Sequence, residues 1–194
     1  MITLPKQSSL LMTDRLLSIF VLSLFVFSSC RSQTTTKRSA DTTQSTQSGT
    51  NQEPNFNYVI EVPGDWTIRD TIMQDGMRIR FLLSQALSVD HPAGNVLVAS
   101  MEGQNINDFT IRNMNYLKSN MPGVIILERG NIDSTIYNGQ WFTYTKEQND
   151  LVRDMINYII PLNGFAYMIT CGTNKGSMNK YRATFDKIAR SFKG

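Results

Sequence analysis

Histidine and cysteine are nearly missing from this chain: among 194 residues there is one His and there are two Cys. Zinc and haem sites gather several such ligands, so most metal chemistry of that kind is excluded, and a disulfide scaffold with it. A continuous apolar run of bilayer-spanning length, ~20 residues, is also missing. The longest, Leu16 to Phe27 (LLSIFVLSLFVF), has twelve positions, two of them Ser. Charge of one sign is not in large excess, with 19 Lys and Arg against 16 Asp and Glu. What remains is the balance of an ordinary globular protein, 41% hydrophobic and 18% charged.

The apolar run is too short to span and has the length of a signal-peptide core, with Lys6 and Arg15 as its positive flank. Met12 lies four residues before the core, so translation from Met1 or from Met12 yields the same mature chain. The core ends in Val26-Phe27-Ser28-Ser29-Cys30. This resembles the lipobox of bacterial lipoproteins, in which two small residues precede a cysteine that is acylated and becomes the new N-terminus; Phe27 stands where Leu is usual. The resemblance implies residues 1–29 as a signal peptide and Cys30 as the lipidation site. Each buried acyl CH₂ is worth ~0.8 kcal/mol, so several chains on one cysteine anchor durably.

From Arg31 to Gln52 the composition changes: sixteen of twenty-two residues are Ser, Thr, Gln or Asn, and Ala40 is the only apolar side chain. Such a segment cannot bury enough apolar surface to offset its ordering entropy. Residues 30–52 are therefore expected to be a disordered tether, holding the domain on the order of 25 Å from the bilayer. No acidic run follows Cys30 of the kind resembling a surface-export signal, and Arg31 is not the Asp resembling an inner-membrane retention signal. The expected location is the bacterial cell envelope, at the outer membrane with the domain facing the periplasm. The net charge of +3 belongs wholly to the leader and tether, since residues 53–194 carry 14 basic and 14 acidic side chains. A neutral domain gives no electrostatic footprint for nucleic acid.

Residues 53–194 read as one α+β domain. Asp75-Gly76, Asn138-Gly139 and Asn163-Gly164 lie between β-like runs, and such dipeptides favour the left-handed positions of type I′ hairpin turns. Met77, Ile79, Phe81 and Leu83 alternate with Arg78 and Arg80, the pattern of a strand with one wet or partnered face. Thr135–Tyr137, Gln140–Glu147, Leu151–Ile160 and Phe165–Cys171 are expected to form a four-stranded antiparallel meander, because their connections are too short for crossovers. Tyr58–Val62, Val96–Met101 and Val124–Leu127 are further candidate strands, the last two apolar on both faces. One helix is expected after a cap at Asn107 or Asp108, with Met114, Leu117 and Met121 on one side and a stop at Pro122-Gly123. The other carries Met178, Tyr181, Phe185, Ile188 and Phe192 at helical spacing, with Ser177 as N-cap.

This order of elements resembles the PsbP-like family. The resemblance rests on Val62-Pro63-Gly64-Asp65-Trp66, then a hairpin, an amphipathic helix, a meander with Asn-Gly turns and a closing helix ending in Ser191-Phe192. That family includes the photosystem II extrinsic protein, the Ran-binding nuclear import factor and many small envelope lipoproteins. It implies a central antiparallel β-sheet flanked by helices on both faces. It supplies no shared catalytic residues.

Chemistry-bearing residues are sparse. His91 is the only histidine, in the polar loop Ser88–Pro92, so a nucleophile has no other imidazole to serve as base. Cys171, at the end of an apolar strand, reads as a small buried hydrophobe. Gly172-Thr-Asn-Lys175-Gly176-Ser177 joins a strand to a helix, but its spacing is not that of a phosphate loop. Asp65, Asp70 and Asp75 lack calcium-loop spacing, the eight domain methionines are scattered as core filler, and Trp66, Trp141, Tyr137 and Tyr144 are expected on sheet faces. No cofactor is implied. The leading expectation is a non-enzymatic, membrane-tethered binding or accessory module for another envelope protein. The alternative is a carrier or enzyme for an anionic small ligand, with a pocket formed by Trp66, Arg78, Arg80 and the 85–94 loop. Cys30→Ser is expected to move the protein from the membrane to the soluble fraction; unchanged fractionation would refute the lipid anchor.

Overall fold

The computed structural model describes residues 56–74, 76–85, 90–132, 137–148 and 151–194. The expected signal peptide, Cys30 and the expected tether lie outside the described residues, as do Asp75, residues 86–89, Thr135 and Asp150.

The strands are β1 (Trp66–Ile72), β2 (Arg78–Ser84), β3 (Ala93–Ser100), β4 (Ile125–Asn131), β5 (Gln140–Gln148), β6 (Leu151–Leu162) and β7 (Phe165–Asn174). The helices are α1 (Ile106–Asn120), between β3 and β4, and α2 (Met178–Arg190), after β7. The seven strands make one sheet in the order β1-β2-β3-β7-β6-β5-β4, every neighbouring pair antiparallel. The α+β architecture expected from the sequence is the one observed, with a helix on each face.

Strand alternation sends successive side chains to opposite faces, and β6 and β7 are apolar on both. Ile156, Tyr158 and Ile160 of β6 join Tyr167, Ile169 and Cys171 of β7 in a core closed by Phe185, Ile188 and Ala189 of α2. Met155 and Ile159 join Ala166 and Met168 in a second core under Phe109 of α1. The spacing read for α2 holds: Phe185 and Ile188 are fully buried, and the stripe continues past the helix to Phe192. Phe192 packs against Tyr167 (ring centroids 4.9 Å apart) and Tyr58 (5.6 Å), so both ends of the domain meet over one sheet face.

Several local expectations are corrected. Tyr58–Val62 is no strand but a covering segment, with one isolated β-bridge in which Val59 and Lys193 exchange backbone hydrogen bonds. Val124–Leu127 is not buried on two sides: β4 is a sheet edge, with Ile125 and Leu127 61% and 57% exposed. β4 pairs with β5 at the outer end of the meander, and Asn138-Gly139 lies at the end of the longer β4–β5 connection; of the expected strand Thr135–Tyr137 only Tyr137 is among the described residues, and it lies outside the strands. Asn163-Gly164 is a true two-residue turn, with φ of 50° and 79°. The cap of α1 is Asn105, not Asn107 or Asp108. Asn105 accepts from the Asp108 N–H at 2.9 Å and its amide donates to the Asp108 carboxylate at 2.7 Å, a reciprocal box that satisfies an orphan helix donor. Ser177 occupies the N-cap of α2 but caps nothing with its side chain, which donates to Asp90 instead.

Because Phe185 anchors α2 to the sheet with no exposed surface, Phe185→Ala is expected to cost about 3–5 kcal/mol. Ile125→Ala on the exposed edge should change stability by less than about 0.5 kcal/mol, and urea unfolding of both variants measures the contrast.

Candidate functional site

Arg78 and Arg80 do meet in a groove. It lies at the β1–β2 end of the sheet, has a volume of about 480 Å³, and is lined by Phe56, Tyr58, Asp70, Ile72, Arg78 and Arg80 among others. Register explains the gathering: Asp70 faces Arg80 and Ile72 faces Arg78 across the hairpin, and the chain entering the domain passes over them.

The two guanidiniums are in different states. Arg80 donates Nε and Nη2 to the two Asp70 carboxylate oxygens at 2.7 and 2.9 Å, and Nη1 to the Tyr58 carbonyl at 3.0 Å. Its guanidinium also lies 4.5 Å from the Tyr58 ring centroid. Such a bidentate, charge-assisted pair is geometrically specific, and these hydrogen bonds hold the Asp70 carboxyl below its usual range. Arg80 therefore locks the entering chain onto the sheet, and its donors are committed to the fold. Arg78 is exposed, with its guanidinium 5.0 Å from the Phe56 ring centroid.

Trp66 does not join them, which corrects the expected constellation. It starts β1 opposite Ser84, six residues from the Ile72–Arg78 pair, on the order of 20 Å along a strand. It is buried, edge-on to Phe185 at 6.3 Å. Of the loop expected beside it, residues 86–89 lie outside the described residues.

The other chemistry-bearing residues lie apart from the groove. Cys171 is fully buried, and burial pushes its thiol far above the ordinary range, which disfavours the reactive thiolate. His91 is exposed, with φ of 44°, and its carbonyl accepts from Arg153 Nη2 at 2.8 Å. At the β7–α2 junction the Gly176 N–H donates to Asp154 at 2.7 Å, so the protein's own carboxylate takes the place a bound anion would need. Trp141 has the Arg182 guanidinium over its ring, 4.2 Å from the centroid, and donates its indole N–H to the Asn131 carbonyl at 3.1 Å. Tyr144 is buried. Among the described residues no group of three or more His, Cys, Asp or Glu is placed to hold a metal ion, and no helix is long and apolar enough to cross a membrane.

Sequence reasoning missed Asp90 as a hub. Its carboxylate accepts from Ser177 Oγ (2.7 Å), Lys180 Nζ (2.6 Å) and Tyr181 Oη (3.3 Å), while its carbonyl accepts from the Asn174 N–H and Thr173 Oγ1. It straps the turn before β3 to the first turn of α2, and no local spacing announces this. It also missed a set of buried polar side chains on the α1 face, Asn95, Lys146, Arg153 and Asn157. Alternation in β5 and β6 places Lys146, Arg153 and Asn157 on that face, but the partners on β3 and β7 depend on the register.

With this geometry the class of the domain is clear: a PsbP-like fold, as the sequence resemblance implies. Solved structures of several other proteins are similar to it, three of them as follows. They are protein PA94 of unknown function from Pseudomonas aeruginosa (TM-score 0.55, 9% identity, 66% of this chain and 96% of that one), LpqN of Mycobacterium tuberculosis (0.53, 11%, 70% and 81%), and the cyanobacterial PsbP of Synechocystis sp. PCC 6803 (0.53, 15%, 70% and 85%). No family model and no curated protein sequence matches the chain.

The Asp90 strap carries a pH prediction. Hydrogen bonds from Lys180 and Ser177 lower its folded-state pKa to about 2, against ~3.9 when unfolded. A depressed pKa contributes stability that is fully present above the unfolded value and is lost as pH falls through the folded one. Asp90→Asn is therefore expected to be less stable than the parent at pH 7 and to show a smaller fall in urea midpoint between pH 4 and pH 2. Parallel curves over that window would refute the strap.

Proposed function

We propose that this chain is a membrane-anchored envelope lipoprotein whose PsbP-like domain serves as a non-enzymatic binding or accessory module for another envelope component. The observation that carries the reading is the combination of Cys30, at the end of a short apolar core, with a neutral domain beyond a polar tether. The structural likeness to LpqN, described as involved in cell envelope biogenesis, supports it. The groove agrees with a binding role rather than catalysis, because Arg80 and Asp70 are committed to each other and no imidazole lines it.

A second reading is that the groove carries an anionic small molecule. The exposed guanidinium of Arg78 beside Phe56 favours it, without Trp66. Crosslinking in intact envelopes followed by affinity isolation separates the two. The first reading expects a defined envelope protein in stoichiometric yield. Recovery of no partner, with a co-purifying anion that is lost on Arg78→Ala, overturns it in favour of the second.

A further inference from the structure

Where α2 borders the β5–β4 end of the sheet, Asn131, Ile132, Trp141, Arg182, Asp186 and Arg190 line, among others, a crevice of about 50 Å³. Three elements build it. Gly130 of β4 stands opposite Trp141 of β5. A Cβ on Gly130 would come within 2.8 Å of the indole, so it is the missing side chain that lets the ring sit so close to the strand. The Trp141 N–H donates to the Asn131 carbonyl at 3.1 Å, which fixes the orientation of the ring. Over that ring, 4.2 Å from its centroid, lies the Arg182 guanidinium of α2.

The guanidinium is also held through Nε, which donates to both Asp186 oxygens at 3.0 and 3.2 Å. Asp186 in turn accepts from Tyr158 Oη at 2.6 Å. Nη1 and Nη2 of Arg182 have no acceptor among the described residues, although the side chain is only 29% exposed. Arg190, four residues beyond Asp186 on the same side of the helix, is exposed and forms no ion pair among the described residues. Asn131 accepts from Gln140 through Oδ1 at 3.4 Å, which leaves its Nδ2 as a donor. The unmet polar groups at the crevice are therefore donors, and two guanidiniums against one carboxylate leave a single positive charge unbalanced.

We propose that this crevice binds a free carboxylate, the α-carboxylate of a terminal amino acid with a small side chain. A guanidinium whose Nε is tied and whose position is set by an aromatic ring presents its Nη donors as a fixed fork, which a carboxylate meets bidentately. The single unbalanced charge matches a monoanion rather than a phosphate dianion. At roughly 10–15 Å³ for each water-sized group, the crevice takes a carboxylate and the carbon that bears it. Ile132 and Ala189 then form apolar walls, and the rest of the molecule stays outside. The site lies at the opposite end of the sheet from the Arg78 groove and rests on neither reading of the proposed function.

A nuclear magnetic resonance titration of the full chain in detergent tests it, with N-acetylalanine as probe and its neutral amide and inorganic phosphate as comparators. The chain has two tryptophans, so the Trp141 indole N–H reports at the site while that of Trp66, buried against Phe185, serves as internal control. N-acetylalanine is expected to shift the Trp141 signal saturably in the millimolar range, at least about tenfold more tightly than either comparator, and to leave Trp66 in place. Arg190→Gln should weaken binding by about tenfold or more, and Arg78→Ala should leave it unchanged. Because the Arg190 guanidinium pairs with no carboxylate, Arg190→Gln should fold as stably as the parent, which separates lost binding from lost structure. Absence of a saturable shift at tens of millimolar, an equal response to the amide or to phosphate, or binding indifferent to Arg190→Gln overturns the proposal.

Discussion

The rest of the domain depends on the burial of β6 and β7 from both sides. A strand covered on two faces cannot alternate apolar with polar, and from Met155 to Ile160 the only polar interruption is Asn157. The neighbouring elements act as cover for this pair of strands. The aromatic stripe of α2 closes one face and α1 the other. Tyr58 and Ile60 complete the first face from one end of the domain and Phe192 from the other. The Arg80–Asp70–Tyr58 lock and the Asp90 strap hold these covers in place. Each ties a segment distant in sequence to the sheet by charge-assisted hydrogen bonds, which have more geometric specificity than apolar contact.

The sheet thins toward its edges, and the edges are managed differently from the centre. In β1, Arg69, Asp70 and two threonines break the apolar pattern. In β4, Glu128 and Arg129 sit beside a register shift between Ile126 and Arg129. Charges and bulges discourage pairing with a foreign strand. The exposed Ile125 and Leu127 therefore do not amount to a smooth apolar edge. Among the described residues, the groove at the β1–β2 end and the buried polar side chains beside α1 both gather polar chemistry. They lie on opposite faces because strand alternation separates Arg80 from Ile79 and Phe81.

Legibility followed the range of the interactions. Asn163-Gly164 was readable because a two-residue turn is a property of its own φ angles. The α2 stripe was readable because helical spacing repeats within a dozen residues. Asn138-Gly139 misled because the same dipeptide also serves at the end of a longer loop, where strand pairing across Ile132 and Gly139 decides the geometry. The two-sided burial expected of Val124–Leu127 failed because apolar composition does not say whether a strand has one neighbour or two. Asn105 took the cap from Asn107 and Asp108 because only it is positioned to accept from the Asp108 N–H. Of the expected ligand trio, Arg78 and Arg80 share a strand and came together, whereas Trp66 lies at the far end of the hairpin, where register placed it against Phe185.

The sequence by itself determined the short apolar core ending at Cys30, the polar spacer, a neutral domain and its α+β character, since these follow from composition, periodicity and turn chemistry along the chain. Tertiary structure alone decided which charged groups are committed and which are not. Arg80 is consumed by Asp70 and Tyr58, Asp90 by the start of α2, and Asp154 by Gly176, while the buried amide oxygens of Asn95 and Asn157 meet no donor among the described residues. Those outcomes turn on register between strands far apart in sequence, where a shift of one residue would exchange the faces. The near-absence of histidine and cysteine was legible from composition alone; only the packing shows that the buried polar side chains on the α1 face include asparagine, lysine and arginine.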